Sequence, residues 1–323
     1  MKQNMNHLER ALDRQNSFWK YLAMTLILFL GASTIGSIPL IMVMIAKNMH
    51  GGALKSLPEN LMDLSHYNIS HNLGYLLLLL GFVAMFFAFK WLIAPIHKRT
   101  LNETINGRDH LRRGRIGMGM LVWGAMMLIT LVTGLLTSPE NYQLQFHFGK
   151  FVVLLLITLL VLPFQTSFEE IFFRGYLTQG LAAATKSRWG TVIIISLAFG
   201  LMHAANPEVK EFGFWISMPQ YVLMGLILGV VSILDDGIEL ALGIHFINNA
   251  FFALFTTHSA SALQTDAIFI VKEINPRIEL LWMIVYAIVV IALLSRIYQW
   301  DFSIMNRKVA VETPSLPQQA LHL

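Results

Sequence analysis

The chain contains no cysteine in its 323 residues, which excludes disulfides, thiolate nucleophiles and cysteine-ligated zinc or iron–sulfur sites together. It is also poor in charge: Asp, Glu, Lys and Arg make up 13% of it, against roughly 25% in soluble domains. Any chemistry must then come from Glu, Asp, His, Ser and Asn, and a soluble globular domain is a poor reading. The net charge of +4 is small and forms no continuous patch, so no nucleic-acid partner is implied.

Apolar residues fill the space that charge leaves. Hydrophobic side chains account for 55% of the chain, and the mean hydropathy is +0.59. They fall into eight blocks, each close to the ~20 residues that a helix needs to cross a hydrocarbon core. The blocks are Tyr21 to Ala46, Leu73 to Ile96, Ile116 to Leu136, Phe151 to Phe168, Trp189 to Ala205, Phe212 to Leu234, Ile238 to Phe255 and Ile278 to Tyr298. The expected fold class is all-α, a polytopic membrane protein with about eight transmembrane helices. The fifth block and the last three carry Pro, Gly or polar residues, as helices lining an interior do. In the first block YLAMTLILFL runs into Gly31, Ala32 and Ser33, small residues that suit a signal peptidase. The apolar run continues past them, and a polar stretch of 20 residues precedes it, so it reads as an uncleaved anchor.

With an even number of spans and the N-terminus inside, six of the 23 Lys and Arg fall outside: Lys47, Lys55, Lys150, Lys210, Lys272 and Arg277. The other 17 lie inside, which obeys the positive-inside rule and puts both termini in the cytoplasm. Trp19, Trp91, Trp189 and Trp300 at inner ends, with Trp215 and Trp282 near outer ends, suit an interfacial belt. The organisation expected is a cytoplasmic segment 1–20, a helix pair 21–96, a basic cytoplasmic linker 97–115, a catalytic membrane domain 116–299 with its motif core at 151–255, and a cytoplasmic tail 300–323. The linker reads as topogenic charge that also attracts anionic lipid, and the tail from Val309 as disordered.

An ionisable side chain in hydrocarbon costs about 2.5 to 3.5 kcal/mol even on the lenient insertion scale, so each one calls for a functional hypothesis. Three segments hold them: FEEIFFRG with Glu169, Glu170 and Arg174, LAFGLMH ending in His203, and IHFINNAFF with His245, Asn248 and Asn249. Glu170 and Arg174 are four apart and pair on a helix, leaving Glu169 about 100° around as the free carboxylate. Phe172 and Phe173 then face lipid or neighbouring helices, and the helix bends near Pro163. His245 and Asn249 share one helical face, as do Phe199 and His203. Counted from the span ends, His203 and His245 differ in depth by about 10 Å, so a shared site requires tilted or re-entrant helices. The remaining histidines are expected to be solvated or interfacial: His50, His66, His71, His147 and His258 outside, and His7, His97, His110 and His322 inside. Asp235 and Asp236 before Gly237 read as a turn, Gln220, Ser232 and Asn248 as helix–helix glue, and Gly225 with Gly229 as a close-packing contact.

As an ordered set in separate apolar segments, Glu-Glu-x-x-x-Arg, Phe-x-x-x-His and His-x-x-x-Asn resemble the CPBP family. These are intramembrane proteases that include type II CAAX prenyl endopeptidases and bacterial bacteriocin-processing or immunity relatives. The resemblance covers roughly 151–255 and implies a CAAX-protease-like helical bundle that hydrolyses a peptide bond of a membrane-associated protein or peptide. The expected catalytic residues are Glu169, His203, His245 and Asn249, supported by Glu170, Arg174 and Phe199. Glu169 and His203 would activate water, and His245 and Asn249 would donate to the oxyanion. No cofactor is expected; the alternative is zinc on Glu169, His203 and His245. Two competing readings are a proton-coupled transporter and a catalytically silent immunity or scaffold protein. The expected location is a bacterial inner membrane.

Overall fold

A computed structural model describes residues 6–12, 16–49, 62 and 64–310. The expectations for Lys2, Arg14, His50, Lys55 and His322, and for the tail beyond Ala310, lie outside these residues. The described chain is helical: α1 (Phe18–Leu26), a π-helical stretch (Ile27–Ala32), α2 (Ser33–Met49), α3 (His71–His97), α4 (Leu101–Ile105) and α5 (Arg113–Thr137) come first. Then follow α6 (Phe148–Leu160), α7 (Leu162–Glu170), a second π-helical stretch (Ile171–Leu177), α8 (Thr178–Thr185), α9 (Arg188–Met202), α10 (Pro207–Phe212), α11 (Phe214–Leu234), α12 (Glu239–Phe255) and α13 (Pro276–Tyr298). Large apolar side chains such as Ile35, Met42, Leu121, Ile129, Leu159 and Ile288 stand on the outer surface, as they do in a protein solvated by lipid tails. The protein is an integral membrane protein of all-α fold.

Every one of the eight apolar blocks is helical, but six helical stretches are long and apolar enough to cross a membrane by length and composition. The other two blocks became α9, with 15 residues, and α12, with 17. At 1.5 Å per residue they reach about 22 and 26 Å, short of the ~30 Å core. The bend expected at Pro163 is present: α6 stops at Leu160, Val161 leaves the helix, and α7 starts with Pro163 in its first turn, where its missing N–H breaks no bond.

Connections gather at two ends of the bundle. At one end Arg10 donates to Gly107 O at 2.6 Å, the His7 backbone N–H to Asp236 Oδ1 at 2.6 Å, and Arg188 to Arg307 O at 2.7 Å. The N-terminal segment, the 97–115 linker, the α8–α9 and α11–α12 turns and the residues after α13 therefore meet there. At the other end β1 (Tyr142–Leu144), β2 (Thr256–Thr257) and β3 (Phe269–Val271) form a small sheet of order β1-β3-β2, antiparallel then parallel. All eight helical passes run between these ends.

Part of the basic linker, read from sequence as topogenic charge, is built into the fold. Arg99 is fully buried, and Arg112 pairs with Glu239 at 2.5 Å and Asp235 at 3.1 Å. The Asp235–Gly237 turn is as expected, with Asp236 at φ 54° and Gly237 at φ 158°, but it is covered rather than exposed. His7 and His97, expected to be solvated, are buried; His97 Nε2 meets the Tyr176 hydroxyl at 2.7 Å. The physical reason is shared: with its own N-terminal segment and linker folded over it, this end of the bundle has an interior.

Small residues set two helix crossings. Gly243 of α12 lies against the Ile116 carbonyl of α5, and Gly119 of α5 against the Leu240 carbonyl of α12, closer than any Cβ permits. The contact expected from Gly225 and Gly229 joins α11 to α9, where a Cβ on Gly225 would lie 2.9 Å from Ser196 Cα. The first two passes cover the site helix: Phe29 packs on Phe172 at 5.3 Å and Phe86 on Phe164 at 5.4 Å between ring centres.

Candidate active site

Glu169 and Glu170 end α7, and Arg174 lies one turn on, in the π-helical stretch. Such a stretch is an insertion in a helix that recurs at functional sites; here it carries the continuation through the Arg174 turn without breaking the pair. Arg174 donates to Glu170 Oε1 at 2.8 Å, with both side chains fully buried. The same Oε1 accepts from His245 Nδ1 at 2.6 Å. Glu170 is thereby committed to a guanidinium and an imidazole at once. Phe172 and Phe173 are buried among aromatic neighbours and do not reach lipid.

Glu169 is placed differently. Its Oε1 accepts from Gln165 Nε2 at 2.6 Å, while its Oε2 has no hydrogen-bond partner among the described residues. Oε2 lies 3.7 Å from His245 Nε2, which lies 3.3 Å from Asn249 Nδ2. One turn of α12 thus presents His245 and Asn249 to the free oxygen of Glu169, as their spacing of four requires.

His203 is the residue at which α9 ends. Its Nδ1 donates to the Phe199 carbonyl at 2.8 Å; a carbonyl only accepts, so Nδ1 carries the proton and Nε2 is bare. The ring is clamped between Phe199, 4.7 Å away, and Tyr221, stacked at 4.5 Å and 18°. Asn206 Nδ2 donates to the Tyr221 hydroxyl at 3.1 Å and fixes that clamp. Phe199 also takes the Arg174 guanidinium on its face at 4.0 Å and touches His245 at 6.1 Å between ring centres. His203 is within electrostatic reach of Glu169, His245 and Arg174. All seven expected residues therefore come together.

The apparent difference in depth between His203 and His245 disappears for a structural reason. Ile238 and Glu239 are fully buried, and the Ile238 N–H donates to the Ile105 carbonyl under the linker. Thus α12 starts well below the end of the bundle, and counting from Ile238 as a surface residue understates the depth of His245.

Three residues that the motifs did not name take part. Gln165 bridges Glu169 and Asn249, and its position one turn before Glu169 was the available signal. Tyr221 stacks on His203, and nothing in its sequence surroundings marks it. Asn248 is more than glue: it donates to Asn249 Oδ1 at 3.1 Å and accepts from Trp123 Nε1 at 3.1 Å. As for zinc, no group of three or more His, Asp or Glu among the described residues is arranged to hold a metal ion.

Residues 148–251 match the family model described as type II CAAX prenyl endopeptidase Rce1-like. Over this stretch the chain is similar to the Rce1-like members of the CPBP family. The stretch runs from the start of α6 into α12 and includes all seven motif residues. The chain is also 26% identical over 299 residues to an uncharacterized protein, YyaK, of Bacillus subtilis (strain 168), covering 92% of this chain and 96% of that one. That similarity takes in the passes before the Rce1-like stretch as well. No solved structure matches the chain significantly.

Proposed function

We propose that the protein is an intramembrane endopeptidase that hydrolyses a peptide bond of a membrane-associated protein or peptide without a metal. One observation carries this reading: of two adjacent buried carboxylates, Glu170 is bound through Oε1 to both the Arg174 guanidinium and the His245 imidazole, while Glu169 has only the neutral Gln165 amide on Oε1 and turns Oε2 toward His245 Nε2, 3.7 Å away. A purely structural pair gains nothing from that asymmetry; a general base requires it.

Water held by Glu169 Oε2 and the bare Nε2 of His203 attacks the scissile carbonyl. Its oxygen bonds to carbon as its proton passes to Glu169, and the carbonyl electron pair moves onto oxygen. Asn249 Nδ2 has one hydrogen on Gln165 Oε1 and the other turned to His245 Nε2 at 3.3 Å, and it is this second hydrogen bond that is transferred to the oxyanion. His245, whose Nδ1 proton is held by Glu170, adds a donor only when Nε2 is also protonated. Collapse breaks the C–N bond, and the proton on Glu169 passes to the leaving amine. Glu170, Arg174 and Phe199 hold the two histidines in place. The location we propose is a bacterial inner membrane, with both termini in the cytoplasm.

The test compares peptide release from a mass-tagged library by detergent-purified wild type and Glu169→Ala, each with and without a strong zinc chelator. Release by wild type in both conditions and none from the variant is the expected result. Loss with chelator would replace this mechanism by a zinc one. Release that persists in Glu169→Ala would remove Glu169 as the base.

A further inference from the structure

An indole N–H can donate and cannot accept. Trp123 of α5 donates it to Asn248 Oδ1 at 3.1 Å, which turns the Asn248 amide so that Nδ2 reaches Asn249 Oδ1, also at 3.1 Å. Asn249 Nδ2 donates in turn to Gln165 Oε1 at 3.1 Å, and Gln165 Nε2 to Glu169 Oε1 at 2.6 Å. Four hydrogen bonds run in one direction, from a group that only donates to a carboxylate oxygen. Turning over any one amide would set donor against donor on one side and acceptor against acceptor on the other.

The sequence makes the path possible. Asn248 and Asn249 are consecutive on α12 and point about 100° apart, one toward α5 and one toward α7. The Gly119 and Gly243 contacts bring α5 close enough for Trp123 to reach. Gln165 and Glu169 lie one turn apart on α7.

We infer that this relay makes Trp123, Asn248 and Gln165 positioning residues: it holds Glu169 Oε1 as an acceptor and so leaves Oε2 to take the proton of the attacking water. The inference rests on Glu169 being the general base. In that step one O–H bond of water breaks, its proton goes to Oε2, and the freed oxygen pair forms the bond to the scissile carbon. Without the relay the carboxylate can rotate, and its two oxygens become interchangeable.

The test uses Gln165→Met, which keeps length and removes both amide bonds, and Asn248→Asp, which keeps the acceptor for Trp123 and removes the donor to Asn249. Each is expected to lower kcat about 10- to 100-fold with KM nearly unchanged. The double variant should be no worse than the poorer single one, because both cut the same chain. Losses that multiply, or a raised KM with kcat intact, would overturn the relay. A second readout does not need turnover: the 15N–1H resonance of the Trp123 indole, assigned with Trp123→Phe, should move in Gln165→Met although that side chain does not touch the ring. A resonance that stays put refutes the relay whatever the activity. If folded wild type cleaves nothing but the resonance moves, the relay stands and the protease reading falls. If Glu169→Gln abolishes cleavage while Gln165→Met retains full kcat, the protease reading stands and the relay falls.

Discussion

Two neighbouring glutamates show how much a single turn of helix can separate chemical roles. Glu170 and Arg174 are an ion pair with almost no access to solvent, so Glu170→Gln leaves a guanidinium buried without its carboxylate. Breaking such a pair from one side costs about 3–5 kcal/mol. Glu169→Gln leaves Oε1 in place to accept from Gln165 and puts no bare charge in the core. Thermal unfolding in detergent should therefore show Glu170→Gln strongly destabilised and Glu169→Gln within about 1 kcal/mol of wild type, while peptide release is lost in Glu169→Gln. Equal destabilisation by the two would mean that both carboxylates are structural. The division was legible at this scale, since the i, i+4 spacing of Glu170 with Arg174 singles out Glu169. Tyr221 and Trp123 were not, because their partners lie on other helices and no local spacing brings them together; Gln165 had a local signal, one turn before Glu169, that lies outside the three motifs.

For the helices, composition located all eight passes but did not fix their reach. Hydropathy measures what a segment is willing to bury; where a helix starts is decided by what covers it, and the linker above Ile238 is a tertiary fact. The π-helical stretches at Ile27–Ala32 and Ile171–Leu177 were likewise invisible to periodicity. The crossing of α5 on α12 is the contact on which the site depends, since α12 carries His245, Asn248 and Asn249. Gly243→Ala would press a methyl group on the Ile116 carbonyl and the Met120 N–H. Overpacking of this kind costs about 1–3 kcal/mol, and the variant should unfold at lower temperature and also lose peptide release. An unchanged melting temperature would show that α5 can retreat freely. The connection between α12 and α13 offers a pH test. Burial lowers the pKa of His258 to about 4, whereas the unfolded chain titrates near 6.5. Between those values the unfolded state binds a proton that the folded state does not, so this residue's contribution falls as pH drops from about 6.5 toward 4. The gap in melting temperature between wild type and His258→Gln should accordingly move against wild type from pH 7 to pH 5. A gap that is constant with pH would contradict a neutral, half-buried His258.

Across the whole molecule, two kinds of information meet. The excess of Lys and Arg belongs to one end of the bundle, and that same end collects the N-terminal segment, the linker, two helix turns and the residues after α13. An arrangement with all eight passes spanning between the ends accounts for both, even though α9 and α12 are short, because a recessed start and the α10 connection supply the missing length. The charge rule is the ground on which we propose that the crowded end faces the cytoplasm. The N-terminal segment is also joined to the candidate site from behind: the His7 ring nitrogen Nε2 bonds the Arg174 carbonyl at 3.2 Å, so the crowded end is tied directly to the helix that carries Glu169 and Glu170. The absence of cysteine makes the orientation directly measurable. Lys272 follows β3 and Lys308 follows α13, both exposed and at opposite ends. Lys272→Cys should react with a membrane-impermeant maleimide on intact cells or right-side-out vesicles, and Lys308→Cys only after permeabilisation. The reverse pattern would invert the topology and place the Rce1-like site against substrates delivered from the outer face; labelling of both in sealed vesicles would mean that α13 does not separate Lys272 from Lys308 and would overturn the eight-pass arrangement.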